Sequence, residues 1–475
     1  MHPEQAPSPR FFAPLAWLQG AWARDVLLSV DEAGLWRAIT PNASPSERQG
    51  ATVLAGPVLP GLVNAHSHAF QRAIAGLTEQ RGASASGSNV ISDDFWSWRD
   101  RMYSVALRIN PEQLEHIAAL LYTELLAGGY TQVCEFHYLH NAQAGVPKAN
   151  PLDMSMALVR AAQRTGMGLT LLPTLYMRSG FGAAGLRDDQ QRFASSADSI
   201  MRLVSDLQTQ TQTHGLTRVN VGVAIHSLRA ATPDAMTELA AFAEQHTLPV
   251  HLHIAEQMQE VQDCLSHTGQ RPIEWLLNHL PVTPSWNLVH ATHTTPAELQ
   301  GVQKQGAAIV ICPSTEANLG DGVFDFTGYA SLGGHWSIGS DSHVTRCWSE
   351  ELRALEYAQR LTHRQRNVAA QYSGRDNTQG STAATLFEAA LRGGHAATGQ
   401  ALGGLGLGQR ADFVVLDTEA PALLGIPDSH LLDALVFSSP DARPQAVYVA
   451  GRAVATQVQG ALASNFVQTM QALWR

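Results

Sequence analysis

The chain has 475 residues, 45% of them hydrophobic and 15% charged, which is enough apolar material for a large buried core. Its formal net charge is −10 with no long basic run, which argues against nucleic acid or an anionic membrane as a main partner. The N-terminus, "MHPEQAPSPRFFAPLAW", lacks the basic-then-apolar pattern of an export signal, and no segment resembles a membrane span, so a cytoplasmic protein is expected.

Taken in chain order, residues 1–57 are short strand-like pieces and turns. From residue 58 onward, apolar runs alternate with longer helical patterns. The runs are "PVLPGLVNAH" (57–66), "YTQVCEFH" (130–137), "GLTLLPTLY" (168–176), "VNVGVAIHS" (219–227), "LPVHLHIAE" (248–256), "NLVHATH" (287–293), "AAIVICPS" (307–314) and "HWSIGSDSH" (335–343). Between them, "PEQLEHIAALLYTELLAGG" (111–129) has Pro near its start and Gly at its end. "TPDAMTELAAFAEQH" (232–246) opens with Thr and Pro at cap and first-turn positions.

Eight β-runs alternating with helices predict an α/β fold, a (β/α)8 TIM barrel over 58–402. A doubly wound open sheet is the alternative, but no GxGxxG follows the first run. Strand-like pieces return in "GQRADFVVLD" (408–417) and "PQAVYVAGRAVA" (444–455). Neither terminal segment can readily form its own core, so 1–57 and 403–475 are expected to combine into one small flanking β-sandwich. The Gly/Ser-rich stretch "RGASASGSNVISDD" (81–94) follows the first run, where it is a lid over a site or an ordinary loop. The four cysteines, Cys134, Cys264, Cys312 and Cys347, have no paired spacing and read as buried free thiols.

The ends of the runs carry the chemistry. Alternate residues of a strand share a face, so His66 and His68 can converge on one ion. Run five ends with His251, His253 and Glu256, run six with His290 and His293, and run eight with Asp341 and His343. Functional groups of a barrel come from the C-terminal ends of different strands. Imidazoles with a carboxylate suit zinc or ferrous iron, leaving a position open for water.

This arrangement resembles the amidohydrolase superfamily across essentially the whole chain. That family combines HxH on the first strand, His on the fifth and sixth, and Asp on the eighth with a flanking β-domain. "LGLGQRADFVVLD" (405–417) looks like its return into that domain. Binuclear members bridge two metals with a lysine ending strand four. This chain has only Lys148 and Lys304, neither in run four, so the resemblance implies a mononuclear, deaminase-like site. The strand-five signature of that branch, His-x-x-Glu, matches His253 and Glu256; His251 is the rival ligand.

A closer similarity lies in "HSHAFQRAIAGLTE" (66–79), "FWSWRDRMY" (95–103), "GYTQVCEFHYLH" (129–140), "AIHSLRA" (224–230), "RPIEWL" (271–276) and "CPSTEANLGDG" (312–322). These resemble the formimidoylglutamate deiminases of bacterial histidine degradation, with Ile225 standing where that family leads one to expect Pro. The resemblance implies hydrolysis of N-formimino-L-glutamate to N-formyl-L-glutamate and ammonia. It implies one divalent metal ion, zinc before iron, held by His66, His68, His253 and Asp341. Asp341 would also accept a proton from water, Glu256 would deliver one to the departing nitrogen, and His290 would stabilise the tetrahedral intermediate or orient the water.

The small-molecule substrate carries carboxylates, which guanidinium groups match bidentately. Arg229 and Arg99 are the candidates. Gln71 would contact the formimino group, with Tyr138 and His226 in support. Arg72 reads as structural, and Trp96 and Trp98 as loop packing. A homodimer is the expected assembly. Two other readings stay open here: a deaminase of a purine-, pterin- or nucleoside-like substrate, and a metal-free scaffold or binding barrel.

Overall fold

The computed structural model describes residues 9–80, 93–141, 150–375, 380–438 and 442–475. Five strands precede the barrel: β1 (Arg10–Leu18), β2 (Ala21–Val30), β3 (Trp36–Thr40), β4 (Thr52–Val53) and β5 (Val58–Pro60). The barrel strands are β6 (Leu62–Ser67), β7 (Tyr130–His137), β8 (Gly168–Leu175), β9 (Val219–Val221), β10 (Val223–Ile225), β11 (Val250–Ile254), β12 (Trp286–His290), β13 (Ala308–Ile311) and β14 (His335–Ile338). Then follow β15 (Phe413–Leu416), β16 (Pro444–Val449) and β17 (Arg452–Val454).

The barrel ladder runs β14-β13-β12-β11-β10-β8-β7-β6, with β9 on β8, and its strands are parallel. Every residue of β7 and β8 is buried, as strands covered on both faces require. The connecting helices start where the sequence signals them. Asn110 caps Pro111–Ala127 in a reciprocal box with Gln113, and Thr232 caps Pro233–Gln245.

Two of the expected runs are each broken by a glycine. The run at 57–66 splits at Gly61, leaving β5 in the flanking sheet and β6 in the barrel. A Cβ at Gly61 would lie 2.3 Å from the Thr131 side chain, so only glycine lets the chain cross there. Run four splits at Gly222 into β9 and β10, where a Cβ would meet Leu172 at 2.7 Å.

The ladder between the last and first strands is reduced to one bridge, Ser67 to Asp341, just beyond the end of β14. Around it, Asp341 N–H donates to His66 O (3.0 Å) and His68 N–H to Asp341 O (3.3 Å). The Asn64 side chain donates to Ser340 Oγ (2.7 Å) and accepts from Ser340 N–H (2.9 Å). Gly339 permits this approach, since a Cβ there would stand 2.6 Å from His66 Cβ.

Both termini build one flanking sheet, in the order β17-β16-β15-β5-β1-β2-β3, with β4 on β1. Its two halves face each other. Phe11 on β1 meets Tyr448 on β16 with ring centroids 5.2 Å apart, although these strands are not neighbours in the sheet. Alternation along β15 sends Phe413 and Val415 into this small core and Val414 and Leu416 into the barrel core. The final helix, Ala461–Leu473, lies outside the sheet and packs on the barrel: His116 bonds both Thr469 and Asn465 at 3.2 Å.

A polar bolt fixes the sheet to the barrel floor. Arg410 donates to both oxygens of Asp412 and, at 2.9 Å, to Gln132 on β7; Gln132 donates to Thr170 (2.8 Å), and Thr170 to Asn220 (2.8 Å). Removing one partner of a buried ion pair strands the other without compensation. Arg410→Met is therefore expected to lower stability by about 3–5 kcal/mol, measured by denaturant unfolding, while leaving the residues at the opposite mouth of the barrel in place.

Candidate metal centre and substrate pocket

His66 and His68 leave β6 on one face, His253 stands on β11, His290 ends β12 and Asp341 follows β14. Asp341 Oδ1 lies 3.3 Å from His66 Nε2 and 3.4 Å from His68 Nε2, and His253 Nε2 lies 3.0 Å from His66 Nε2. On the other side, His290 Nε2 stands 3.9 Å from Asp341 Oδ2 and 3.8 Å from Glu256 Oε1. Among the described residues, His66, His68 and His253 form one group with ligand atoms in mutual reach, and His66, His290 and Asp341 form another.

The tautomers follow from the partners. His68 Nδ1 bonds the Phe136 carbonyl and His253 Nδ1 the His226 carbonyl, both at 2.9 Å. A carbonyl only accepts, so both rings carry their proton on Nδ1 and turn an Nε2 lone pair inward. Burial holds His66 and His253 well below the ordinary histidine value, and neighbouring imidazoles add to the effect. Neutral lone pairs therefore converge on a carboxylate oxygen, and a divalent ion fits this donor set.

Glu256 and His290 form the reactive edge. Burial, then the Asp341 and Glu260 carboxylates, push Glu256 up to about 7, against the pull of His290 and Arg229. Burial opposes charge on His290, but Glu256, Cys312 and Glu316 lift it well above the usual imidazole value. Its Nδ1 faces Glu316 Oε1 at 3.3 Å. Both His290 (φ 69°) and Ala291 (φ 50°) adopt left-handed backbone.

Each residue expected to bind substrate lines one cavity with the metal-site residues: Gln71, Arg99, Tyr138, His226 and Arg229. Gln71 Nε2 donates to Tyr138 (3.4 Å), while its buried Oε1 has no hydrogen-bond partner among the described residues. Trp96 does more than pack a loop. Its ring carries the Arg99 guanidinium at 4.6 Å and the Arg229 guanidinium at 5.8 Å. A wider cavity of about 740 Å³ opens at the barrel floor beside Arg218 and Arg452, but it contains none of the histidines above, so size does not locate this site.

The rival ligand His251 sits deeper in the barrel, its Nε2 on Ala397 O at 2.8 Å. His293 lies outside the cluster, and His343 supports it from behind, bonding His68 O (3.1 Å) and Ser340 Oγ (3.0 Å). Sequence reasoning missed Glu135, which accepts from Ser67 Oγ (2.8 Å) and Ala69 N–H (2.5 Å), and also Glu260 and Glu316. Glu316 lies within the noted "STEANLGDG" stretch; Glu260 had no signal beyond its spacing of four from Glu256. Of the loop considered as a lid, residues 81–92 lie outside the described residues, as does Lys148. Among the described residues no helix is long and apolar enough to cross a membrane.

The amidohydrolase family model matches residues 58–454. Over 441 residues the chain is 44% identical to a formimidoylglutamate deiminase of Pseudomonas aeruginosa, covering 93% of each. A crystal structure of an amidohydrolase from Brucella melitensis is 40% identical, with a TM-score of 0.88, covering 98% of this chain and 100% of that one. An adenosine deaminase from Xanthomonas campestris, solved with bound zinc, is similar in fold at 22% identity, with a TM-score of 0.77 over 99% and 100% of the two chains. The chain belongs to the amidohydrolase family, with that family's TIM barrel and flanking β-domain. It is a hydrolase acting on carbon–nitrogen bonds, and its His and Asp groups can hold a metal ion.

The placement of the histidines separates the two ligand candidates on β11. His253→Ala is expected to strip the metal, read as metal per chain by elemental mass spectrometry, whereas His251→Ala keeps it. The reverse result would move the ligand assignment to His251.

Proposed function

We propose that the protein hydrolyses N-formimino-L-glutamate to N-formyl-L-glutamate and ammonia, with one divalent cation, zinc before iron, held by His66, His68, His253 and Asp341. The observation that carries this reading is the pairing of Arg99 and Arg229 with the His/Asp cluster in one cavity, alongside the 44% identity to a deiminase.

When bound, the cation would lower the pKa of a water to about 7. The protein's residues do the rest. Arg229 and Arg99 hold the substrate's carboxylates and so fix the formimino carbon against the cluster. Gln71, with its free Oε1, accepts a hydrogen bond from the formimino N–H, and Tyr138 and His226 close the walls around the substrate backbone. Asp341 takes a proton from the attacking water. His290, charged among carboxylates, donates through Nε2 to the oxygen on the tetrahedral carbon. Glu256, held protonated near neutral pH, gives its proton to the formimino nitrogen; as the tetrahedral carbon collapses, the proton held by Asp341 completes the departing ammonia and the carbon's hydroxyl proton returns to Glu256.

Ammonia release from N-formimino-L-glutamate by metal-loaded protein, with guanine and formamide as controls, tests the assignment; no release from the first substrate refutes it. Arg229→Ala should raise KM for the dicarboxylate, and unchanged turnover would remove the glutamate assignment. Glu256→Gln should lower kcat by about 10²–10⁴. Because Glu256 acts protonated and its carboxyl lies at about 7, kcat should fall as pH rises through that value. The residual rate of Glu256→Gln should lack this alkaline limb.

A further inference from the structure

We propose that Glu260 is a positioning residue that ties the carboxylate-binding Arg229 to the turn presenting the proton donor Glu256. This rests on the deiminase reading above. Glu260 lies in the first turn of the helix Met258–Thr268, and its side chain is fully buried beside the pocket. One of its oxygens accepts from Ala255 N–H (3.2 Å) and the other from Glu256 N–H (3.3 Å). The second oxygen also faces Arg229 Nη1 at 3.5 Å. A single carboxylate thus meets both halves of the chemistry, the anchor for substrate and the acid for the leaving group.

Two features make this more than a buried ion pair. Ala255 is left-handed (φ 52°), a conformation an L residue holds only when its surroundings fix it, and Glu260 supplies acceptors on both sides of that residue's peptide. In addition, Arg229 is largely buried and is attracted by Glu260 first and by Glu256 as well. Without Glu260, the guanidinium is drawn to the Glu256 carboxylate, where it would favour loss of the very proton that Glu256 must deliver and leave the substrate's carboxylate without its partner. Glu260 keeps the cation at the anchor and the acid free.

A double-mutant cycle tests this. Glu260→Gln is made in the native chain and in Arg229→Met, all metal-loaded. Glutarate binding is measured by calorimetry, kcat and KM for N-formimino-L-glutamate by ammonia release, and folding by thermal melting. In the native background, Glu260→Gln should weaken glutarate binding and raise KM by about tenfold, a coupling of the size residues sharing an ion pair show, with a fall in kcat. In Arg229→Met, the same substitution should leave glutarate binding nearly unchanged while kcat still falls. An equal effect on binding in both backgrounds overturns the proposal, as does a melting shift with binding and kinetics intact. A wild-type chain that binds no glutarate also overturns it. Wild-type binding without ammonia release refutes the deiminase reading instead, and the calorimetric cycle still decides the role of Glu260.

Discussion

The peptide groups of His66, His68 and Asp341 close the barrel, and their side chains are the proposed metal ligands. Strand β14 ends three residues before Asp341, so the first and last strands meet through a short bridge rather than a full ladder. Gly339 admits the His66 backbone at that point, and Asn64 locks Ser340 with a reciprocal pair of bonds. The separation between His66 and Asp341 is therefore set by backbone hydrogen bonds and not by rotamer choice. The helix Thr382–Thr398 presses on the same seam from below: Cβ atoms at Gly393 and Gly394 would strike Trp336 O and Val63.

The pocket is electrically divided. At one end lie Asp341, Glu256 and the imidazoles; at the other, Arg99 and Arg229, both against the Trp96 ring. The proposed substrate is divided in the same sense, with a basic formimino group at one end and carboxylates at the other. In a water-poor cavity a mismatched orientation places like charges together, at a cost that grows as the dielectric falls. Such a division would orient the proposed substrate before close contacts form. Burial first, then the Asp341 and Glu260 carboxylates, raises Glu256, while Glu256, Cys312 and Glu316 raise His290 against its own burial, so the two groups share their charge as a pair.

What could be read from the sequence follows physical periodicity. The strand-end histidines and Asp341 were legible because barrel strands are short and functional groups sit at a predictable end. The helices at Pro111–Ala127 and Pro233–Gln245 were legible from their caps. His251 and His253 share a strand face, so alternation could not rank them; the fold sets His253 beside His66 and His251 against the Ala397 carbonyl of a distant helix. The breaks at Gly61 and Gly222 answer to Thr131 and Leu172, contacts far away in the chain. Glu260 and Glu316 look like ordinary acids of a helix's first turn, where the dipole alone would favour them. Only the fold brings Arg229 and His290 against them.

Backbone strain marks the same places. Ala255, His290, Ala291, Asp341 and His343 all have positive φ, and all lie just beyond or at the ends of β11, β12 and β14. Each such residue costs of order 1–3 kcal/mol and persists only where surrounding contacts over-determine it. Here those contacts are the Glu260 bonds to the 255–256 turn, the Glu316 contact with His290, and the barrel-closing bonds to Asp341. The strain turns side chains from three different strands toward one point, which regular β geometry would send along parallel directions. The unfavourable backbone conformations of such a site are stabilised by the fold itself. The carboxylates that brace these turns are consequently as much a part of the centre as the residues that line it.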